Sequence, residues 1–66
     1  NFNEAIKLFQ KAITIDPGSA LTHNALSMAY YNIKNYDLAI KHCDKAIQLG
    51  YRVSPKFLES LKNTKK

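Results

Sequence analysis

NFNEAIKLFQKAI (residues 1–13) and NYDLAIKHCDKAI (residues 35–47) are the same segment written twice, 34 positions apart. Asn1/Asn35, Ala5/Ala39, Ile6/Ile40, Lys7/Lys41, Lys11/Lys45, Ala12/Ala46 and Ile13/Ile47 are identical, seven of thirteen positions, and Phe2/Tyr36, Asn3/Asp37 and Ile15/Leu49 are conservative. Within each copy the apolar residues recur every three or four positions: Phe2, Ala5, Ile6, Phe9, Ala12 and Ile13, then Tyr36, Ala39, Ile40, Cys43, Ala46 and Ile47. That is the period of one helix face, so the duplicated unit contains an amphipathic helix, the first over 2–15.

Outward from the copies, Pro17-Gly18-Ser19 stops the first helix and offers Ser19 as a cap for the next. The run that follows turns Leu26, Ala29, Tyr30 and Ile33 inward. Only Lys34-Asn35 separates it from the second copy, so helices over 20–33 and 37–49 must reverse into an antiparallel hairpin. Gly50 ends the latter. A short last helix is marked by Ser54 as cap and Pro55 at its first position, with Phe57, Leu58 and Leu61 on one side.

A 34-residue helical repeat with small and aromatic residues at set places resembles the tetratricopeptide repeat. The family pattern has a large residue, Leu-Gly, Tyr, Ala, an aromatic, Ala and Pro. Here stand His23, Leu26-Ser27, Tyr30, Ala39, Cys43, Ala46 and Tyr51. Ser27 is small like the expected Gly, Cys43 is smaller than an aromatic, and His23 and Tyr51 depart. The preceding half unit keeps Ala5, Phe9, Ala12 and Asp16-Pro17. The resemblance covers residues 1 to about 53 and implies an all-α fold, an α-solenoid of antiparallel helix hairpins with about four helices. On it, 1–19 is the second helix of a partial repeat, 20–53 a complete repeat, and 54–66 a capping helix with a basic tail. Ala5, Ala29, Ala39 and Ala46 would then let helices approach closely.

Such arrays need about three units for stability, so the chain reads as part of a longer array. A second copy of the chain is expected to cover the bare side of helix 2–15, giving a homo-oligomer.

Composition narrows the function. The one cysteine, Cys43, makes no internal disulfide, and no apolar run approaches the roughly 20 residues that span a bilayer, which suggests a soluble chain in a reducing, cytoplasmic compartment. Of the net charge of +5, residues 51–66 carry +4: Arg52, Lys56, Lys62, Lys65 and Lys66 against Glu59. The excess belongs to one end. It supports an alternative reading as a small nucleic-acid-binding module using the C-terminal helix, although a lysine-rich end is more often a solvated terminus than a phosphate-binding surface.

No catalytic constellation, phosphate loop, metal set or cofactor motif is evident. His42 and Cys43 are adjacent on a helix and diverge by about 100°, so they do not share a metal readily. Cys43 is expected to be a buried structural thiol, and His23 and His42 plain surface or groove residues. Tyr30 belongs to the core.

In the family, first helices line a concave groove that holds a partner segment. The resemblance places that groove at Leu21, Asn24, Met28, Tyr31 and Asn32, with Leu58 and Lys62 from the terminal helix. Leu21, Met28 and Tyr31 are apolar or amphipathic residues the inward face does not claim, open equally to a partner or to cover by a neighbouring repeat or the capping helix; in the first case Asn24 and Asn32 would bond a bound peptide or helix. The implied function is a protein-interaction scaffold and not an enzyme. A family subset grips chaperone-tail carboxylates with Asn and basic side chains. Those positions fall at Ala25 and near Pro55 and Glu59, so that mode is not expected.

Overall fold

The computed structural model describes residues 1–64; Lys65 and Lys66, two cations of the basic tail, lie outside the described residues. Four helices follow in order: α1 (Phe2–Ile15), α2 (Ala20–Asn32), α3 (Tyr36–Gln48) and α4 (Pro55–Lys62). No strand occurs among the described residues. They form an all-α stack in which α2 packs on α3 and on α1, and α4 lies against α3.

The termini show why the helices begin and end where they do. Asn1 caps α1 by accepting from the Asn3 amide at 2.9 Å, and the Asp16 side chain accepts from the Gly18 amide at 3.2 Å to fold the Pro17-Gly18 turn. Ser19 caps α2 by accepting from the Thr22 amide at 3.3 Å, as the sequence implied. Ser54 occupies the cap position of α4, but its side chain makes no capping bond.

α2 and α3 end alike. The Asn35 amide reaches back to the Tyr30 carbonyl at 2.9 Å and Lys34 to Tyr31 at 3.0 Å; Tyr51 likewise reaches Ala46 and Gly50 reaches Ile47, each at 2.9 Å. This pair of bonds closes a helix through a residue of positive φ. Gly50 supplies it at φ 94, whereas at the first reversal the residue is Lys34 at φ 65. Because this closure starts at Asn32, Ile33 sits past the helix end and is 39% exposed. The expectation that Ile33 faces the core is therefore corrected.

The core is Ile6, Leu26, Ala29, Tyr30, Ala39, Cys43, Ala46, Val53 and Leu61. Full burial of Leu26 alone is worth about 1.5–3 kcal/mol. Its centre is the α2–α3 contact, where Leu26, Ser27, Ala39 and Ala46 are completely covered. Small side chains there allow the two backbones to close together. α1 contributes only Ile6 as a fully buried residue, so its attachment is the weakest of the first three helices.

Candidate functional site: the face between α2 and α4

Asn24 and Met28, one helical turn apart on α2, form one wall of a shallow groove. Tyr51 and Arg52 of the α3–α4 connection and Lys56, Phe57 and Ser60 of α4 form the other. The floor is apolar through Met28, Tyr51 and Phe57, and Arg52 and Lys56 add two cations to the lining. Met28 is 48% exposed and Leu21 64%, far more than apolar residues of a closed core retain.

The sequence-expected groove residues do not all converge here. Asn24 and Met28 line the groove. Tyr31 is half-buried at its margin, its ring edge-on to Phe57 at 5.5 Å and tilted against Tyr36 at 5.6 Å. Asn32 is exposed, but its Nδ2 donates to the Met28 carbonyl at 2.8 Å. Leu58 and Lys62 lie elsewhere, beside Ile40, Cys43, Asp44 and Leu61 in a hollow between α3 and α4. The capping helix turns Phe57 toward α2, and Leu58, next in sequence, necessarily takes another direction.

Cys43 is buried as expected, 1% exposed. Burial pushes its thiol pKa up, Asp44 adds to the rise, and the neighbouring Ser27 side chain opposes it. His23 and His42, expected at the surface or in the groove, are neither. His23 is 6% exposed and His42 half-buried. Their Nδ1 atoms are 3.0 Å apart, and His23 Nε2 is 3.0 Å from the Pro17 carbonyl oxygen. A carbonyl only accepts, so His23 Nε2 carries a proton and donates. Desolvation depresses the His42 pKa, with help from His23 and Lys41. The signal for this pair lay in the hairpin itself: an antiparallel reversal brings together residues mirrored about its midpoint, and His23 and His42 stand ten and nine residues either side of Ile33.

Among the described residues, no group of three or more His, Cys, Asp or Glu side chains could hold a metal, and no helix is long and apolar enough to cross a membrane.

Residues 1–50 match the tetratricopeptide repeat family. Hsc70-interacting proteins 1 and 2 of Drosophila melanogaster are each 42% identical to the chain over 49 residues, 74% of this chain and 13% of theirs. The Hsp70-Hsp90 organising protein of Plasmodium falciparum (isolate 3D7) is 33% identical over 61 residues, 92% of this chain and 11% of its own length. The chain thus spans about an eighth or less of these relatives, and no solved structure matches it significantly. The 34-residue duplication, the packed hairpin closed at Lys34 and Gly50, and the match over residues 1–50 agree: this chain belongs to the tetratricopeptide repeat family.

Proposed function

We propose that the chain is a protein-interaction scaffold whose α2–α4 groove takes an extended or helical segment of a partner. The observation that carries this is the exposure of Met28 and Leu21 on the same helix face as Asn24, beside a wall bearing Arg52 and Lys56. That chemistry suits a segment with one apolar anchor, seated on Met28, Tyr51 and Phe57, flanked by carboxylates that meet the two cations. Tyr31 and Asn32 border the anchor, and Leu21 extends the stripe. Leu58 and Lys62 would join only where a longer partner wraps over α4.

The relatives' names direct the first trial to Hsp70-class chaperones. Ala25 and Glu59 offer neither an amide nor a cation for a terminal carboxylate, so such a contact would use the body of the groove. Titration calorimetry against an Hsp70 with and without its last residues tests this. The expectation is equal affinity for both and about tenfold weaker binding by Met28→Glu, a loss of about 1.4 kcal/mol. Binding that vanishes with the chaperone's terminus, or that ignores Met28→Glu, overturns the groove assignment.

A second reading concerns α1, where Leu8 is 65% and Ile15 84% exposed. They stand seven residues apart, two helical turns on one side, and a second copy of the chain is the occupant proposed for them. Sedimentation decides: a monomer at high concentration ends that reading.

A further inference from the structure

The histidine pair is not used by the groove, and its geometry is unusual. The ring centroids are 5.3 Å apart and the planes are inclined by 26°. That separation exceeds the 3.0 Å between the Nδ1 atoms by about two imidazole ring radii, so the two nitrogens lie on the line of centres. The rings therefore meet edge to edge, with each Nδ1 axis aimed at the other. This is the geometry of one N–H···N hydrogen bond. It leaves no room for a metal ion, whose bonds to two opposed nitrogens of about 2.0–2.1 Å each would hold them farther apart.

The proton positions follow. His23 Nε2–H is committed to the Pro17 carbonyl, so in the neutral pair His23 Nδ1 is the acceptor and His42 Nδ1–H the donor. One added proton is tolerated on His42 Nε2, because a single N–H still lies between the rings. With two added protons both Nδ1 atoms carry hydrogen, and two cations face each other at hydrogen-bond distance with no acceptor between them.

We infer that His23 and His42 form a one-proton bridge that latches the α1–α2 turn to the α2–α3 hairpin, and that a second proton opens it. The bridge is a junction of three helices. Through Pro17 it holds the turn after α1. The His42 ring stacks on Tyr30 of α2 at 5.6 Å and 14°, and the Tyr30 hydroxyl accepts from Gln10 Nε2 of α1 at 2.8 Å. The hollow beside the pair is lined by Lys41, Asp44, Lys45 and Gln48 of α3, so two ammonium groups outnumber one carboxylate. In the turn, the Asp16 carboxylate is engaged by the Gly18 amide. Among the described residues no charge from α1 or α4 lines that hollow.

The sign is fixed by linkage. The folded pair resists a second proton, and His42 is the group whose protonation burial and its neighbours disfavour, so the unfolded state binds more protons below pH 6.5, the ordinary histidine value. Stability is complete above that pH and falls as the solution is acidified. The unfolding constant rises about tenfold per pH unit while one extra proton is taken up.

Two measurements on the full chain test this. Nitrogen-15 NMR of the imidazoles at neutral pH should show His42 as the Nδ1–H tautomer, His23 as the Nε2–H tautomer, and a coupling across the Nδ1–Nδ1 bond. Thermal melts at pH 8 and pH 5 should show a drop in Tm for the native chain. His42→Asn, whose amide gives an N–H to His23 Nδ1 at neutral pH and can turn its oxygen to accept from that atom in acid, should melt at nearly the same temperature at both. His42 found as the Nε2–H tautomer, or a His42→Asn melt as acid-sensitive as the native one, overturns the inference. Should His42→Asn fail to fold, the tautomer spectrum of the native chain decides alone.

Discussion

Ser27 Oγ donates to the Ala39 carbonyl at 2.6 Å, between two residues that are both fully buried. The bond ties α2 to α3 at their closest approach and stands where the family pattern has glycine. The Ala39 carbonyl also lies within the α3 ladder, so removing the hydroxyl orphans nothing. Ser27→Ala should therefore cost only about 0.5–1.5 kcal/mol, read from the urea midpoint. Ser27→Leu should cost more, about 1–3 kcal/mol or above, because the backbones cannot separate to admit it. Equal stability of the two variants would mean that close approach is not what selects a small residue here.

Lys34 adopts φ 65 to close α2, and Gly50 does the same for α3 at φ 94. Only glycine enters that region without strain, the penalty for other residues being about 1–2 kcal/mol. Lys34→Gly should raise stability by about 0.5–1 kcal/mol, the relief being partly offset by the freer unfolded chain. That is roughly 2–8 °C in Tm for a domain of this size. Gly50→Ala should do the reverse. An added Cβ at Gly50 meets nothing within 4 Å, so its cost is torsional alone. A Lys34→Gly variant that melts below the native chain would refute this account of the reversal.

Cys43 is covered, and its thiol is held above the usual range, chiefly by burial. Alkylation requires thiolate and access, and both are withheld in the folded state. Iodoacetamide should label Cys43 at neutral pH at least on the order of tenfold more slowly in buffer than in urea, at a rate set by opening of the α2–α3 contact. Labelling at equal rates in both would show the thiol to be accessible.

The residues that made the fold legible are those whose signal is periodic or local. Ala5 and Ala39, Ile13 and Ile47 announce the duplication; Ser19 and Gly50 announce helix ends, and both act as expected. Ile33 misled because it continues the apolar period by one position, while the closure through Lys34 had already ended the helix. The site was less legible for a different reason. Whether Leu58 or Phe57 faces α2 depends on the roll of α4, set by Val53 and Leu61 in the core, and periodicity within eight residues does not fix a rotation. His23 was misplaced because its polarity outweighed its position. It occupies the family's large-residue site, is 6% exposed, and its two ring nitrogens both find partners.

Tyr31 illustrates why groove and scaffold must be separated by experiment. Its ring meets Phe57 edge-on at 5.5 Å, a geometry worth about 0.5–1.5 kcal/mol beyond the area buried, and it joins α4 to the hairpin. Tyr31→Ala should thus lower stability by about 2 kcal/mol or more and loosen the α4 wall that carries Lys56 and Phe57. Weakened partner capture by that variant alone would say little about contact with the partner. Met28→Ala removes an exposed side chain and should weaken capture with stability changed by no more than about 0.5 kcal/mol. A double-mutant cycle on Tyr31→Leu and Phe57→Leu, followed by urea unfolding, measures the joint directly and should return a coupling of about 0.5–1.5 kcal/mol. Strictly additive losses would show that the Tyr31–Phe57 contact does not hold α4, which then rests on its other core contacts through Val53, Leu58 and Leu61, and Tyr31 would become a cleaner probe of the groove.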